Sequence, residues 1–287
     1  MRIFLNNKFV DERRAVVSVF DHGFLYGDGV FETLRAYQGR LFRLDEHLKR
    51  LKESAQGLEI SLSYTLPMLR RHLKETLVIN HLNNALLRIC ISRGCGPIGL
   101  DPALCQNPTI VIIPRVFNGY SEYQYYRGLK IAIVSVRRTP RRVLDPRIKS
   151  ANFLNNILAK IQAKRARADE GLMLATNGYL TEGSISNFFI VRHGRLYTPA
   201  VHMGILAGIT RRLVLDLAKE ADIPVNETRL RPSDLHKAEE CFLTNTSMEI
   251  MPVTKVDGFM IGDGKPGPVT RYLHKAYQEQ VRLECRT

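Results

Sequence analysis

The chain has 287 residues, 45% hydrophobic and 24% charged, the balance of a globular protein with a sizeable core. It has no apolar run long enough for a membrane helix, and its polar start, MRIFLNNKFVDERR, does not read as a signal peptide. Five cysteines without CxxC pairs or His-bearing metal spacing read as reduced thiols of a cytoplasmic, metal-free protein; the net charge of +14 is spread along the chain without an RNA-sheet or zinc-finger pattern, so attraction for small anions is favoured over a nucleic-acid partner.

In chain order, AVVSV (15–19) predicts a strand, and VFETLRAYQGRLFRL predicts a hairpin turning at Gln38-Gly39, with Phe31, Thr33, Arg35 and Tyr37 on one face. LDEHLKRLKESAQGL carries Leu44, Leu48, Leu51 and Ala55 at helical spacing, and a second helix is expected over 66–79. Strands ALLRICIS and TIVIIP flank the loop RGCGPIGLDP, whose glycines and prolines suit ligand contacts. The turn- and tyrosine-rich stretch 118–128 reads as a linker between an N-terminal domain, 1–117, and a C-terminal domain, 129–287.

Beyond it, LKIAIVSV predicts a strand and NFLNNILAKIQAKRARADEG a helix ended by Gly171. Four strand-like runs follow, GLMLAT, YLTEG, NFFIVR and RLYTP, with turns at Asn177-Gly178 and His193-Gly194. The helix TRRLVLDLAKEAD, the strands ECFLTN and EIMPVTKV, and a final helix GPVTRYLHKAYQEQVRL complete the pattern. Strands and helices are mixed with many hairpins, which defines an α+β fold.

Four features bear chemistry. Lys149 stands between the basic stretch RRVLDPRIK and an apolar helix, where burial and neighbouring cations favour a neutral, nucleophilic amine; a surface cation is the competing reading. Glu182, in YLTEGSISNFFIV, is a carboxylate set against an apolar run and needs a cationic partner, a protonated ring nitrogen or an arginine. Gly208, Ile209 and Thr210 open an amphipathic helix whose N-terminal N–H groups suit a phosphate, and Thr246 and Ser247 add hydroxyls at another junction; for Thr210 the rival role is helix capping. Arg50, at the edge of an apolar stripe, is either a solvated helix arginine or a grip on an oxyanion.

Taken in this order, DHGFLYGDGVFETLRAYQGRLFRLDEHLKRL, RGCGPIGLDP, IKSANFLNNILA, TEGSISNFFIV, LAGITRRLVLDLA and TNTSMEIMPV resemble, over nearly the whole chain, the class IV, fold-type IV pyridoxal-phosphate enzymes. These include branched-chain aminotransferases, D-amino acid aminotransferases and aminodeoxychorismate lyases. The resemblance implies a two-domain fold with a smaller N-terminal domain and a larger C-terminal domain containing a pseudo-barrel. It implies pyridoxal 5'-phosphate as cofactor, ping-pong exchange between an amino acid and a 2-oxo acid, and a homodimer. By position, Lys149 matches the lysine that attaches the cofactor and shuttles a proton, and Glu182 the partner of the pyridine nitrogen. Arg50 matches the phosphate arginine; Leu206, Gly208, Ile209, Thr210 and Thr246 match further cofactor-binding positions. Phe153 stands where branched-chain enzymes place a tyrosine.

For the substrate the resemblance divides. Tyr26, Phe31 and Arg88 match pocket positions of L-branched-chain enzymes, although Leu86 replaces a tyrosine of theirs, and Ser247 is a further candidate for substrate binding. Arg93 matches the carboxylate-trapping arginine of D-amino acid enzymes, whose accompanying histidine is replaced by Cys95. GVFETLRAY, with Thr33, is common among the lyases. An L-branched-chain or other hydrophobic amino acid is placed first, then a D-amino acid, then lyase chemistry. A basic binding module without cofactor is a further reading, opposed by the joint presence of Lys149, Glu182, Arg50 and the phosphate cup.

Overall fold

A computed structural model describes residues 1–286, and the chain divides into two compact units. The first consists of Met1–Asn118, Ile148–Asn152 and the chain from Val281; the second consists of Gly119–Arg147 and Phe153–Gln280.

The first unit contains β1 (Arg2–Leu5), β2 (Lys8–Asp11), α1 (His22–Tyr26), β3 (Gly29–Tyr37), β4 (Arg40–Leu41), α2 (Leu44–Gly57), α3 (Leu66–Ile79), β5 (Ala85–Ser92) and β6 (Thr109–Val116). Its six strands form an antiparallel sheet in the order β2-β1-β6-β5-β3-β4. The two-residue period of β3 sends Val30, Leu34 and Ala36 to the face covered by Leu48 and Leu51 of α2 and Leu69 and Leu73 of α3. The Thr65 hydroxyl accepts from the Met68 N–H and starts α3. Gln38 and Gly39 both have positive φ, the geometry that fits a tight hairpin to strand twist.

Residues 15–19, expected as a strand, pair with no strand. Val16, Val17 and Val19 are exposed, because apolar alternation makes a strand only where another backbone edge is available.

The second unit contains α4 (Glu122–Arg127), β7 (Leu129–Arg137), α5 (Leu154–Arg165), β8 (Glu170–Leu174), β9 (Leu180–Gly183), β10 (Asn187–Arg192), β11 (Arg195–Pro199), α6 (Ile209–Glu220), β12 (Val225–Thr228), α7 (Pro232–Leu235), β13 (Glu240–Asn245), β14 (Glu249–Val256), β15 (Phe259–Met260) and most of α8 (Pro268–Cys285). Its sheet runs β12-β11-β10-β13-β14-β7-β8-β9, with β15 paired to β14, and curls as a half-barrel. The β11–β12, β14–β7 and β7–β8 pairs are parallel and the others antiparallel, so the α+β expectation holds. Phe188, Ile190, Leu243, Met251 and Val253 are among the residues of its core.

Two details differ from the sequence pattern. Within 118–128, α4 forms behind a Ser121–Gln124 capping box. Helix α5 ends at Arg165, short of Gly171: Arg167 turns the chain at φ 54°, and Gly171 lies in β8. A Cβ on Gly171 would lie 2.9 Å from the Ala159 carbonyl oxygen, so the glycine serves close helix–strand packing.

Candidate active site

In the first unit, β3 and α2 bring an acid, a histidine and an arginine together in the interior. Glu32 occupies the core-facing parity of β3, where an unpaired carboxylate would be costly. Arg50 Nε and Nη2 donate to its two oxygens at 2.5 and 3.0 Å, and His47 Nδ1 lies 2.7 Å from Oε2. Burial acts to raise the Glu32 pKa, but the Arg50 guanidinium and His47 outweigh it and hold the carboxyl far below its usual range. Arg50 is thus neither a solvated helix arginine nor a freely swinging one; it is fixed as a two-pronged donor.

Lys149 belongs to a short stretch stitched onto β3. Its carbonyl accepts from the Phe31 N–H at 3.0 Å, its own N–H donates to Ser54 Oγ at 3.1 Å, and Ser150 forms a bridge with Val30. The backbone is therefore fixed while Nζ lies 4.3 Å from the centre of the Phe31 ring. The guanidinium carbon of Arg88 stacks 3.7 Å from the same ring centre, so Phe31, Arg88 and Lys149 come together. Two of the three neighbouring arginines, Arg141, Arg142 and Arg147, are turned to another carboxylate: Arg147 donates to Asp145 at 2.5 Å, and Arg141 lies 3.8 Å from the same carboxylate.

Tyr26 reaches the RGCGPIGLDP loop, its hydroxyl oxygen accepting from the Gly99 N–H at 3.1 Å. Arg93 is differently placed. Its Nε and Nη2 donate to Asp28 at 2.5 and 3.2 Å, and Nη2 and Nη1 also donate to the carbonyls of Leu58 and Glu59 at 2.7 and 3.3 Å. Four of the five donors of a guanidinium are thereby spent on the protein.

In the second unit, Glu182, next to the last residue of β9, is almost fully buried. Arg138 Nε donates to its Oε1 at 2.7 Å, while the Leu206 N–H donates to Oε2 at 3.0 Å and Asn187 Nδ2 approaches Oε2 at 3.4 Å. Asn187 Nδ2 also donates to the Leu206 carbonyl at 2.9 Å, tying this carboxylate to the segment that leads into α6. Gly208 is the N-cap of α6 and carries no capping side chain, so Ile209 and Thr210 stand in the first turn, where backbone N–H groups face outward from the helix end. A Cβ on Gly208 would lie 2.1 Å from Asn187 Oδ1, which explains the glycine.

The turn between β13 and β14 carries Thr246 and Ser247. Asn245 Oδ1 accepts from Ser247 N, Ser247 Oγ and Met248 N at 2.9, 3.0 and 2.7 Å, which fixes it. Nearby in the sheet, the hydroxyls of Ser186, just before β10, and Thr244, on β13, are buried without a partner among the described residues. A buried orphan hydroxyl is a cost that a bound polar ligand removes. With an uncapped helix N-terminus and a buried carboxylate paired to an arginine, these residues fit a phosphorylated aromatic cation.

Arg138, Asp28 and the Glu32–His47 pair were not singled out from sequence. Glu32 alone left a signal, a carboxylate at core-facing strand parity; the Arg138–Glu182 and Asp28–Arg93 pairs join positions 44 and 65 residues apart with nothing local to reveal them.

The family model for amino-transferase class IV matches residues 29–256. The chain belongs to that family and is an aminotransferase of fold-type IV. It is 46% identical over 279 residues, 97% of this chain and 96% of the other, to a Methanocaldococcus jannaschii protein named "Putative branched-chain-amino-acid aminotransferase". It is 34% identical to the D-alanine aminotransferase of Staphylococcus haemolyticus, over 98% of both chains. Among solved structures, the T.th. branched-chain amino acid aminotransferase with pyridoxamine 5'-phosphate superimposes with a TM-score of 0.94 at 34% identity, covering 98% of this chain and 93% of that one. The Thermoproteus uzoniensis branched-chain aminotransferase with norvaline gives 0.92 at 32%, covering 100% and 96%.

Proposed function

We propose that this protein is a pyridoxal 5'-phosphate-dependent aminotransferase that takes an L-branched-chain or other hydrophobic amino acid as donor and a 2-oxo acid as acceptor. The observation that carries the choice of hand is Arg93, whose fork is locked on Asp28 and two backbone carbonyls. A carboxylate trap of the D-amino acid type would have to break that partly buried pair. Arg88, stacked on Phe31 and exposed, keeps its planar fork directed by the ring and suits a substrate carboxylate.

When bound, the cofactor supplies the carbonyl that captures the amino group and the ring that accepts the electron pair released at the α-carbon. Lys149 would hold the cofactor through Nζ and would be the group that takes the proton at the substrate α-carbon; its anchored backbone limits the travel of that nitrogen. Glu182 would hold a proton at the ring nitrogen, its two oxygens oriented by Arg138 and the Leu206 N–H. The first-turn N–H groups of Ile209 and Thr210, the Thr210 hydroxyl and Thr246 would hold the phosphate, with Leu206 and Gly208 shaping the cup, and Arg50 is assigned to the same group by its match to the family's phosphate arginine. Tyr26, Phe31 and Ser247 line the substrate position.

The unit-level surfaces support a homodimer. Helix α5 turns Leu154, Ile157, Leu158 and Ile161, a stripe at helical spacing, toward solvent. No helix among the described residues is long and apolar enough to cross a membrane, and five free thiols suit the cytoplasm.

The test is a half-reaction screen of the purified yellow holoenzyme. L-leucine is expected to bleach the visible band, while D-alanine and aminodeoxychorismate leave it. Lys149→Ala is expected to abolish the band, and borohydride reduction with peptide mapping to place the label on Lys149. Bleaching by D-alanine alone would overturn the substrate assignment, and a label elsewhere would overturn the cofactor assignment.

A further inference from the structure

The turn that presents Thr246 and Ser247 is braced from behind by three side chains of the second unit with no assigned role. Glu249, the first residue of β14, has φ 56°, a left-handed conformation that a residue with a side chain adopts only against steric strain. It is nevertheless buried, and His274 Nε2 of α8 donates to its Oε2 at 2.8 Å. The His274 ring packs against Tyr125 of α4 with 4.3 Å between ring centres. The Tyr125 hydroxyl in turn donates to the Met248 carbonyl at 3.2 Å, inside the same turn. Gln278, one helical turn beyond His274, lies 3.3 Å from its Nε2.

The circuit is closed. Tyr125 grips the turn at Met248, His274 grips it at Glu249, and the two rings rest on each other. Asn245 alone, through its three accepted hydrogen bonds, would fix the turn locally; what it leaves open is the tilt of the turn relative to the sheet. The brace sets that tilt, and it is worth the backbone strain at Glu249 only if the position of the turn matters.

We infer that Tyr125, His274 and Glu249 are positioning residues that hold the Thr246–Ser247 turn in register with the phosphate of the cofactor. This rests on the cofactor reading above and adds to it the residues that set phosphate affinity without touching phosphate. Their removal tilts the turn, weakens the hold on the phosphate and leaves recognition of the ring unchanged.

The experiment compares the affinity of the full-length apo-protein for pyridoxal 5'-phosphate with that for pyridoxal, which lacks the phosphate. In His274→Ala and Glu249→Gln the dissociation constant for the phosphorylated ligand is expected to rise about tenfold, equivalent to about 1.4 kcal/mol. That for pyridoxal is expected to change less than about twofold. His274→Gln, which keeps an N–H donor, is expected to lose less than His274→Ala. Tyr125→Phe, which keeps the ring and removes only the hydroxyl, serves if the other variants fail to fold, and is expected to show the same selective loss at smaller size. Equal losses for both ligands, or no loss for either, overturn the inference. A wild-type protein that binds neither ligand overturns the cofactor reading itself, and this inference with it.

Discussion

At Glu32 the strand parity places a carboxylate where only apolar groups are cheap, and Arg50 and His47 make the placement tolerable. The same pair fixes the arginine proposed to grip the phosphate. Its pH dependence follows from the depressed carboxyl. Because the folded value lies below the ordinary 4.5, the pair stabilises the fold fully above that pH. Its contribution is lost progressively as the pH falls below 4.5 toward the folded value. Glu32→Gln is expected to lower stability by about 3 kcal/mol at pH 7, since it strips a buried guanidinium of its counter-charge. Denaturant titrations at about pH 7 and about pH 3.5 check this, and the gap between wild type and variant should be smaller at the lower pH. Arg138 does for Glu182 what Arg50 does for Glu32, but here the second carboxylate oxygen is held by a backbone N–H and an amide, which orient rather than neutralise it.

Among the elements, α6 owes its use to what precedes it. A glycine N-cap leaves the first turn open to an anion, and Asn187 occupies the space a Cβ would need. Gly208 has φ −67°, so alanine suits the backbone and the difficulty is steric alone. Gly208→Ala is expected to displace Asn187, costing about 1–3 kcal/mol of stability. It is also expected to weaken pyridoxal 5'-phosphate binding roughly tenfold, because Asn187 links Leu206 to Glu182. Equilibrium cofactor titration and thermal melting measure the two effects separately. The elements themselves were legible: the amphipathic spacing of 44–57 and 66–79 and the Asn-Gly and His-Gly turns are local properties. The strand expected at 15–19 and the length of α5 were not, because one lacked a pairing edge and the other stopped where β8 had to begin.

For the whole molecule the apolar stripe on α5 is the informative surface. Four large aliphatic side chains in a helical row do not remain in water without cost, at about 25 cal/mol per Å². Wild type is expected to sediment as a dimer, and the double substitution Ile157→Asp, Ile161→Asp to sediment as a monomer at the same concentration. A monomeric wild type would remove the homodimer from the account. The net charge of +14 acts at this scale as well, drawing carboxylates and phosphates toward the protein at low salt.

The sequence by itself determined the helices and turns, the mixed α+β class and, through the motifs around Lys149, Glu182 and Gly208, the family to which the chain belongs. These depend on local spacing and on short blocks that survive in order. The tertiary structure alone decided which charges meet: Arg93 with Asp28, Arg138 with Glu182, Arg50 with Glu32, His274 with Glu249. The reason is physical. A buried charge must find its partner wherever the fold brings one within hydrogen-bonding reach, and that proximity is set by strand pairing and helix packing across the unit, not by neighbours along the chain.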